Sequence, residues 1–252
     1  MNTKPTVFIA DLHLSLDTPK LNALFLACLQ QWQGKVSALY ILGDLFELWV
    51  GDDAADEVAG EVQTALQAFS QHAPVYFICG NRDFLLGKRY AQAAGMTLLP
   101  EQYCFDLFGK KILLMHGDEM CTDDVAYQRY RSWIRFPLIR KALLCLPRQK
   151  RLQIAAKIRA NSQRKKDANG LTEIGDVSTQ GLQTALQRFA GVDYLIHGHT
   201  HRPAIHQIDF EGKTVQRIVI PDWRDDFGGC VLEANGDVRL AYFRQDDLAE
   251  VL

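Results

Sequence analysis

The stretch TVFIADLH at residues 6–13 joins a short apolar run to two polar side chains, Asp11 and His13. An apolar run of this length, ended by polar residues, predicts a buried strand over residues 6–10. Helical spacing and apolar runs then alternate along the chain, at residues 21–32, 38–42, 54–69 and 74–79. Strands that alternate with helices of ten or more residues predict an α/β fold with a parallel sheet covered by helices.

The second half of the chain has a different pattern. A hairpin is predicted over residues 103–115, with its turn at Gly109, and a buried strand over residues 194–197. Two further hairpins follow, whose turns are Glu211-Gly212 and Asn235-Gly236, and Asn-Gly is a favoured two-residue turn. We therefore expect antiparallel pairing in the tail.

The composition is that of an ordinary globular protein. Of the 252 residues 48% are hydrophobic and 23% are charged, which excludes a disordered or collagen-like chain. No apolar run approaches the roughly 18 residues of a membrane span, and the first run is too short for the core of a signal peptide, so we expect no export. The six cysteines show no C-x-x-C spacing, which favours free thiols in a reducing compartment over disulfides or a zinc cluster.

The charge is unevenly distributed. The net charge is −2, yet residues 125–166 hold 13 of the 28 basic residues and none of the 30 acidic ones. This segment carries no strand pattern and has helical character, broken near its two prolines. We interpret residues 122–170 as a helical insertion, here called the cap, in a body formed by residues 1–121 and 171–252.

Polar side chains follow the predicted strands at the points where the strands end. They are Asp11, His13, Asp44, Asn81, His116, His199 and His201. Any one of them alone is more often a turn residue or a satisfied histidine, but the joint pattern favours a site, because open α/β sheets build their sites at the carboxyl ends of strands. Carboxylate, amide and imidazole donors suit manganese, iron or zinc.

The number of donors predicts two metal ions. Seven ligands exceed the need of one tetrahedral ion, and with one bridging carboxylate they divide into two sets of four. Two ions about 3.5–4 Å apart would share a hydroxide and clamp a phosphoryl oxygen in an in-line displacement.

These residues resemble the motifs of the calcineurin-like metallophosphoesterase superfamily. The matching pieces are Asp11-Leu12-His13, Gly43-Asp44, Gly80-Asn81-Arg82-Asp83, His116-Gly117 and Gly198-His199-Thr200-His201. The resemblance implies an αββα sandwich, here with the cap as a helical insertion. Most members have a histidine where this chain has Arg82.

Longer blocks resemble a narrower family, the pyrophosphohydrolases that act on UDP-2,3-diacylglucosamine in lipid A biosynthesis. They lie at residues 9–14, 40–47, 80–87, 97–100, 121–124 and 196–203, and the resemblance covers nearly the whole chain. It implies a hydrolase that uses a dinuclear-metal-activated water to cleave this lipid-linked sugar nucleotide. The products would be UMP and 2,3-diacylglucosamine 1-phosphate (lipid X), with the phosphorus that is attacked left open.

The same resemblance implies a cofactor of two Mn²⁺ per subunit and a role for each site residue. One ion would be held by Asp11, His13, Asp44 and His201, and the other by Asp44, Asn81, His116 and His199, so that Asp44 bridges. The catalytic residues would be Arg82, Asp44 and His199. The substrate would be bound by Asn81, Arg82, Asp124, Ser162, Lys166, Asn169 and His199. Lys165 is an alternative to Lys166, and Asn169 stands where the family usually has a lysine.

The cap interleaves basic residues with leucine, isoleucine and a few aromatic residues. A basic amphipathic helix pair is typical of an element that lies on an anionic membrane surface. We therefore expect the protein in the cytoplasm, bound peripherally to the cytoplasmic face of the inner membrane, with acyl chains between cap and body. The alternative is a solvated helical hairpin whose apolar face packs on the body.

Two other functions use the same features. A nuclease or cyclic-nucleotide phosphodiesterase would use the basic cap to follow a phosphate backbone, but the cap has few aromatic residues for stacking bases, so we expect no nucleic-acid partner. A binding module with a vestigial site is the second alternative, and the complete set of donors argues against decay. No obligate protein partner is evident.

Overall fold

Two β-sheets stack face to face at the centre of the computed structural model, which describes residues 3–169, 175–224 and 227–243 and no side chains between 161 and 174. The first sheet has six strands in the order β11-β10-β1-β2-β3-β4. They are β1 (Thr6–Ile9), β2 (Ala38–Ile41), β3 (Val75–Phe77), β4 (Met96–Leu98), β10 (Gly228–Leu232) and β11 (Val238–Tyr242). The first four strands are parallel, as the alternating pattern predicts, and β10 pairs antiparallel with β1.

The second sheet has five strands in the order β5-β6-β7-β9-β8. They are β5 (Gln102–Leu107), β6 (Lys110–Met115), β7 (Tyr194–His197), β8 (Ala204–Phe210) and β9 (Lys213–Val219). The three predicted hairpins form, but the expectation of a purely antiparallel tail is wrong, because β9 pairs parallel with β7. The last hairpin, moreover, joins the first sheet rather than the second.

Helices cover the outer faces of both sheets. The first sheet is covered by α1 (Pro19–Trp32), α2 (Glu57–Ser70) and α3 (Lys88–Ala93), and the second by α7 (Thr179–Arg188). The second helix begins three residues later than its spacing predicts, because Asp56 accepts a hydrogen bond from the backbone N–H of Ala59 and caps it. The short elements β4 and α3, and the helix α7, were not predicted.

The alternation of side chains along the strands divides the interior into three apolar layers. On β1, Val7 and Ile9 face the helices, whereas Phe8 faces the second sheet. On β6, Leu114 packs between the sheets and Leu113 packs towards α7. Helix, sheet, sheet and helix therefore form the expected αββα sandwich.

Three helices follow β6 in the chain, namely α4 (Val125–Ile134), α5 (Pro137–Leu144) and α6 (Arg148–Asn169). The helical segment is interrupted near both prolines, as predicted, since α4 ends before Pro137 and α5 ends before Pro147. Pro137 occupies the first turn of α5, where its missing N–H costs no hydrogen bond. Among the described residues, no helix is both long and apolar enough to cross a bilayer. The division of the chain into body and cap stays a prediction.

Candidate metal centre

The seven predicted ligands lie in the loops that follow β1, β2, β3, β6 and β7, and the structure brings them into one cluster. Nε2 of His116 lies 3.0 Å from Oδ1 of Asn81 and 3.8 Å from Oδ1 of Asp44. Oδ1 of Asp11 lies 3.5 Å from Nε2 of His201 and 3.9 Å from Nε2 of His13. The carboxyl ends of strands from both sheets therefore meet at one point, as doubly wound sheets commonly arrange.

Two groups of donor atoms are each compact enough for one metal ion. One consists of Asp11, His13 and His201, and the other of Asp11, Asp44 and His116. The imidazole rings pair in the same way, His13 with His201 at 5.8 Å between centroids and His116 with His199 at 5.0 Å. Each pair belongs to one of the two predicted ions. The carboxylate shared by the two compact groups is Asp11, whereas the resemblance assigns the bridge to Asp44.

The backbone of the cluster is unusual. Left-handed φ angles between 52° and 68° occur at five of the seven predicted ligands: Asp11, His13, Asp44, His199 and His201. This region is costly for most residues, and aspartate, asparagine and histidine tolerate it best. Such backbone strain concentrates where surrounding structure imposes it for function.

Hydrogen bonds from neighbouring loops fix one oxygen of each ligand carboxylate. The backbone N–H of His199 donates to Oδ2 of Asp11 at 2.7 Å, and that of Arg82 donates to Oδ1 of Asp44 at 2.8 Å. Asp83, which is fully buried, accepts from the N–H groups of Leu45 and Gly80 at 2.8 and 2.7 Å. The loops after β2 and β3 are therefore tied together through side chains.

Glycine is required where these loops approach each other. A Cβ atom on Gly80 would lie 2.1 Å from Oδ1 of Asp44, and one on Gly198 would lie 2.2 Å from Oδ2 of Asp11. Any other residue would displace a ligand carboxylate. This explains the Gly-Asn and Gly-His pairs of the sequence without any chemical role for the glycines.

The electrostatics of the cluster follow from burial and close charges. Burial raises the pKa of Asp11, but the close approach of His201 and the other neighbouring imidazoles outweighs it and holds that pKa well below its usual range. Burial lowers the pKa of His116, but Asp44 and Asp11 outweigh it and raise it to about 9. Burial and His116 lower the pKa of His199 to about 3. The cluster therefore concentrates negative charge where a cation would sit.

The donors present fit divalent metal ions. Oδ1 of Asp11 and Nε2 of His13 are buried and have no hydrogen-bond partner among the described residues, which is costly unless a further group binds them. Nδ1 of His116 lies 2.8 Å from the carbonyl oxygen of Leu42. An imidazole that donates one nitrogen to a carbonyl presents the other to a metal, as metal-binding histidines commonly do.

Some of the predicted substrate-binding residues lie close to the cluster of predicted ligands, whereas the side chains of others lie outside the described residues. Arg82 lies beside the cluster, with its Nη1 3.8 Å from Glu47 and its Nε buried without a hydrogen-bond partner in the described structure. Asp124 caps α4 by accepting from the N–H of Tyr127 at 2.9 Å. The ring of Tyr127 lies 6.4 Å from that of His199, so the start of the cap is close to the predicted ligands. The side chains of Ser162, Lys165, Lys166 and Asn169 lie outside the described residues.

Helix α4 is fixed to the body by buried charges. Asp118 accepts from Nε of Arg131 at 2.7 Å and from the hydroxyl of Tyr127 at 2.6 Å. Arg135 donates to the carbonyl oxygen of Gly80 at 2.8 Å and pairs with Glu101 at the same distance. Arg135 thus contacts the loop that carries the predicted ligand Asn81.

Helix α6 has its own contacts with the body. Arg151, which is almost fully buried, donates to the carbonyl oxygen of Val50 and to both oxygens of Asp53. Further along the helix, Arg159 donates to Oε1 of Glu47. The cap is therefore attached to the body by arginines at three places.

Four acidic residues beside the cluster have roles that the sequence analysis missed: Glu47, Asp83, Asp118 and Asp222. Oδ2 of Asp222 lies 3.4 Å from Nδ1 of His201, and Oε2 of Glu47 lies 2.9 Å from Nδ1 of His13. Burial raises the pKa of Glu47, but His13 and Arg82 outweigh it and lower it to about 2. Asp83 is the last residue of the Gly-Asn-Arg-Asp motif and Asp118 follows the His-Gly motif, but neither motif indicates which groups these carboxylates contact.

Residues 4–203 match the model of the calcineurin-like phosphoesterase family. The chain belongs to this family. The match spans every predicted ligand, and the two-sheet sandwich described above is the architecture that the motifs imply. The expected fold class is thereby confirmed.

Within the calcineurin-like phosphoesterases the chain is similar to curated proteins over almost its whole length. It is 47% identical to the UDP-2,3-diacylglucosamine hydrolase of Serratia proteamaculans over 233 residues, which are 92% of this chain and 95% of that protein. The enzyme of the same name from Escherichia coli strain 536 is 44% identical over 239 residues, 94% of this chain and 98% of that one. A Yersinia enterocolitica relative of that name is 47% identical over 92% of this chain and 95% of its own length. The resemblance to this narrower family is confirmed.

Proposed function

We propose that this phosphoesterase hydrolyses the pyrophosphate of UDP-2,3-diacylglucosamine to UMP and 2,3-diacylglucosamine 1-phosphate (lipid X). The observation that carries the proposal is identity of 44–47% over more than nine-tenths of the chain to proteins named for this hydrolysis. The cluster of carboxylate, amide and imidazole groups at the sheet edge supports it, because its donor types suit a dinuclear centre for phosphoryl transfer. The reaction belongs to lipid A biosynthesis.

We assign two Mn²⁺ to the cluster as the family resemblance implies, with Asp11, His13, Asp44 and His201 on one ion and Asp44, Asn81, His116 and His199 on the other. When bound, such ions activate water and neutralise charge on phosphoryl oxygens. The unpartnered Oδ1 of Asp11 and Nε2 of His13 support the first set. The 3.0 Å approach of Asn81 to His116 supports the second.

The chain's own residues bind and orient the pyrophosphate. Arg82 stands beside the cluster with a buried, unpartnered Nε, and its planar guanidinium matches phosphate oxygens. His199 and Asn81 both lie against His116, where they would contact a phosphoryl oxygen. We assign the sugar and lipid contacts to Asp124, Ser162, Lys166 and Asn169 of the cap, with Lys165 as the alternative cation.

We further propose that the cap meets the cytoplasmic face of the inner membrane and admits acyl chains. Large apolar side chains on α4, on α5 and between them are exposed to solvent: Leu138 is 68% exposed, Trp133 59% and Phe136 53%. A helical hairpin whose apolar face packed on the body would bury them. Because basic residues flank these side chains and no acidic residue occurs in 125–166, an anionic lipid surface is the matching partner.

A manganese-dependent assay on the diacylated sugar nucleotide tests the proposal, with UDP-glucosamine that lacks acyl chains as the control substrate. We expect chelation to abolish turnover, Mn²⁺ to restore it, and the acylated substrate to be strongly preferred. Full activity in excess chelator would refute the metal assignment. Equal turnover of the two substrates would refute the role of the acyl chains.

A further inference from the structure

Glu47 occupies a position between the predicted metal ligands, the phosphate-binding arginine and the cap. It follows β2, its backbone N–H donates to the carbonyl oxygen of Leu14, and its side chain is largely buried, at 19% exposure. Two of its neighbours face Oε2, namely Nδ1 of His13 at 2.9 Å and Nη2 of Arg224 at 3.7 Å. The carboxylate therefore has one oxygen directed at a predicted metal ligand.

The other oxygen of Glu47 faces the arginines. Oε1 accepts a hydrogen bond from Nη2 of Arg159 on α6 and lies 3.8 Å from Nη1 of Arg82. Arg159 and Glu47 are 112 residues apart in the sequence. One carboxylate thus contacts the first ligand loop, the loop of Arg82 and the cap helix at the same time.

The contact with His13 has a definite chemical consequence. Nδ1 of His13 makes no hydrogen bond in the described structure, so Oε2 of Glu47 acts on it through charge at 2.9 Å. A carboxylate this close favours the tautomer whose proton is on Nδ1, which leaves the lone pair of Nε2 for the ion. The same arrangement recurs at His201, whose Nδ1 faces Asp222, whereas Nδ1 of His116 faces only the carbonyl of Leu42. The two histidines of the first ion are thus oriented by carboxylates, and a ligand of the second is oriented by the backbone.

We propose that Glu47 is a positioning residue that couples the seating of α6 on the body to the affinity of the first metal ion, the one held by Asp11, His13 and His201. With Arg159 in contact, Oε1 is neutralised by the cap and the carboxylate is held against His13. When α6 lifts away, the carboxylate loses this restraint. This inference rests on the metal sites proposed above.

Metal affinity provides a readout that does not depend on turnover. Chelator-treated full-length protein is titrated with Mn²⁺ alone and followed by calorimetry and by the electron paramagnetic resonance of free Mn²⁺. For Glu47→Gln, which keeps the shape and removes the charge, we expect one of the two ions to bind about 10–100-fold more weakly, as when a group that orients a ligand is lost. The affinity of the other ion should stay within about twofold of wild type, and Arg159→Gln should weaken the same ion by a smaller factor.

The cap offers a matched control. Asp53 pairs with Arg151 of the same helix but contacts none of the predicted ligands in the described structure. Asp53→Asn removes a contact near the start of α6 but keeps the pair of Arg159 with Glu47, so both Mn²⁺ affinities should stay unchanged. Hydrogen exchange of the α6 amides at residues 155–160 completes the test. Mn²⁺ should increase their protection in wild type and in Asp53→Asn, but not in Glu47→Gln.

The experiment distinguishes failure of the proposed metal sites from failure of the proposed coupling through Glu47. If wild-type protein binds no Mn²⁺, the metal assignment itself fails. If wild type binds two ions and Glu47→Gln binds both equally well, or if Asp53→Asn weakens binding as much as Glu47→Gln does, the coupling through Glu47 is overturned. Because Arg159 lies on the surface of the cap, its variant keeps the test valid even if Glu47→Gln reduces the stability of the body.

Discussion

The backbone N–H of His199 donates a hydrogen bond to Oδ2 of Asp11 across a sequence separation of 188 residues. This bond joins the loop after β7 of one sheet to the loop after β1 of the other. It leaves Oδ1 of Asp11 buried and unpartnered among the described residues. The protein thus fixes one oxygen of the carboxylate and leaves the other for an ion.

Asp44→Asn tests the bridging assignment. The amide keeps the hydrogen bond from the N–H of Arg82 but loses the charge that two ions would share. We expect kcat/KM to fall by more than the roughly 10–100-fold typical of losing an outer residue that orients a ligand. The exposed Asp17→Asn serves as the control and should be neutral. An effect of Asp44→Asn no larger than tenfold in a steady-state assay would contradict the bridge.

Substitutions of Arg82 distinguish a role in charge stabilisation from a role in proton transfer. Pyrophosphate cleavage expels a phosphate monoester, a weak base that needs little protonation, whereas an alkyl phosphoester expels an alkoxide and benefits from a general acid. Arg82→Ala should lower kcat/KM by about 10²–10³, as the loss of one transition-state donor does. Arg82→His should fail to restore the sugar-nucleotide reaction. If the histidine variant matched wild type on that substrate, a proton-transfer role would replace our assignment.

The exposed apolar residues of the cap predict membrane binding. Burial of a large apolar side chain contributes about 1.5–3 kcal/mol, so Trp133→Ser or Leu138→Ser should each weaken binding to anionic phosphatidylglycerol vesicles about tenfold or more. Ile205→Ser, at an apolar residue of the body that is 39% exposed, is the matched control and should bind as wild type does. Co-sedimentation measures the effect. Equal losses in all three variants would argue against a specific role of the cap.

Gly80 and Gly60 form a contrasting pair. A Cβ on Gly80 meets Asp44 at 2.1 Å, whereas one on Gly60 in α2 meets nothing within 4 Å. Gly80→Ala should therefore reduce the free energy of unfolding by about 1–3 kcal/mol and abolish turnover, because it displaces a ligand. Gly60→Ala should raise the free energy of unfolding by about 0.5–1 kcal/mol. Denaturant unfolding and activity assays measure both, and an active Gly80→Ala enzyme would disprove the close approach.

Asp118 should carry much of the attachment of α4. It is fully buried and accepts from Arg131 and Tyr127, so Asp118→Asn removes the most deeply buried counter-charge of Arg131, which keeps its contacts with Glu101 and Glu119. We expect a loss of about 3 kcal/mol in the free energy of unfolding, as for other broken buried pairs. Glu233→Gln breaks the exposed pair with Arg239 and should cost less than about 1 kcal/mol. Comparable losses in urea titrations would show that the α4 contact is not an anchor.

The local pattern of apolar and polar residues was sufficient to predict most strands and to predict that the ligands would lie close together. The run at residues 6–10 and the polar Asp11 that follows it are read within one segment, and parallel strands bring their ends to one edge without further information. The parallel pairing of β9 with β7 could not be predicted in this way. The sequence of the β8–β9 hairpin does not indicate which other strand lies next to β9 in the sheet. Pairing between distant segments is set by the packing of whole layers.

In the candidate metal centre, too, contacts between distant segments could not be predicted from local sequence pattern. The sequence indicates the donors but not the groups that orient them. Glu47, for example, meets His13, Arg82 and Arg159 only in the folded chain, and Arg159 is 112 residues away. The Ser162, Lys166 and Asn169 assignments rest on resemblance alone. Asp83 belongs to a motif, yet its function of joining two loops through the N–H groups of Leu45 and Gly80 follows from geometry that no spacing rule expresses.

The left-handed backbone at five predicted ligands limits how this site can evolve. A substitution that suits another metal must also suit a φ near 50–70°, and outside glycine that region is tolerated chiefly by aspartate, asparagine and histidine. Cysteine or glutamate at Asp11 or His201 would incur a backbone penalty before any ion bound. New metal preferences in this scaffold are therefore more accessible through the surrounding carboxylates, such as Asp222, than through exchange of the ligands themselves.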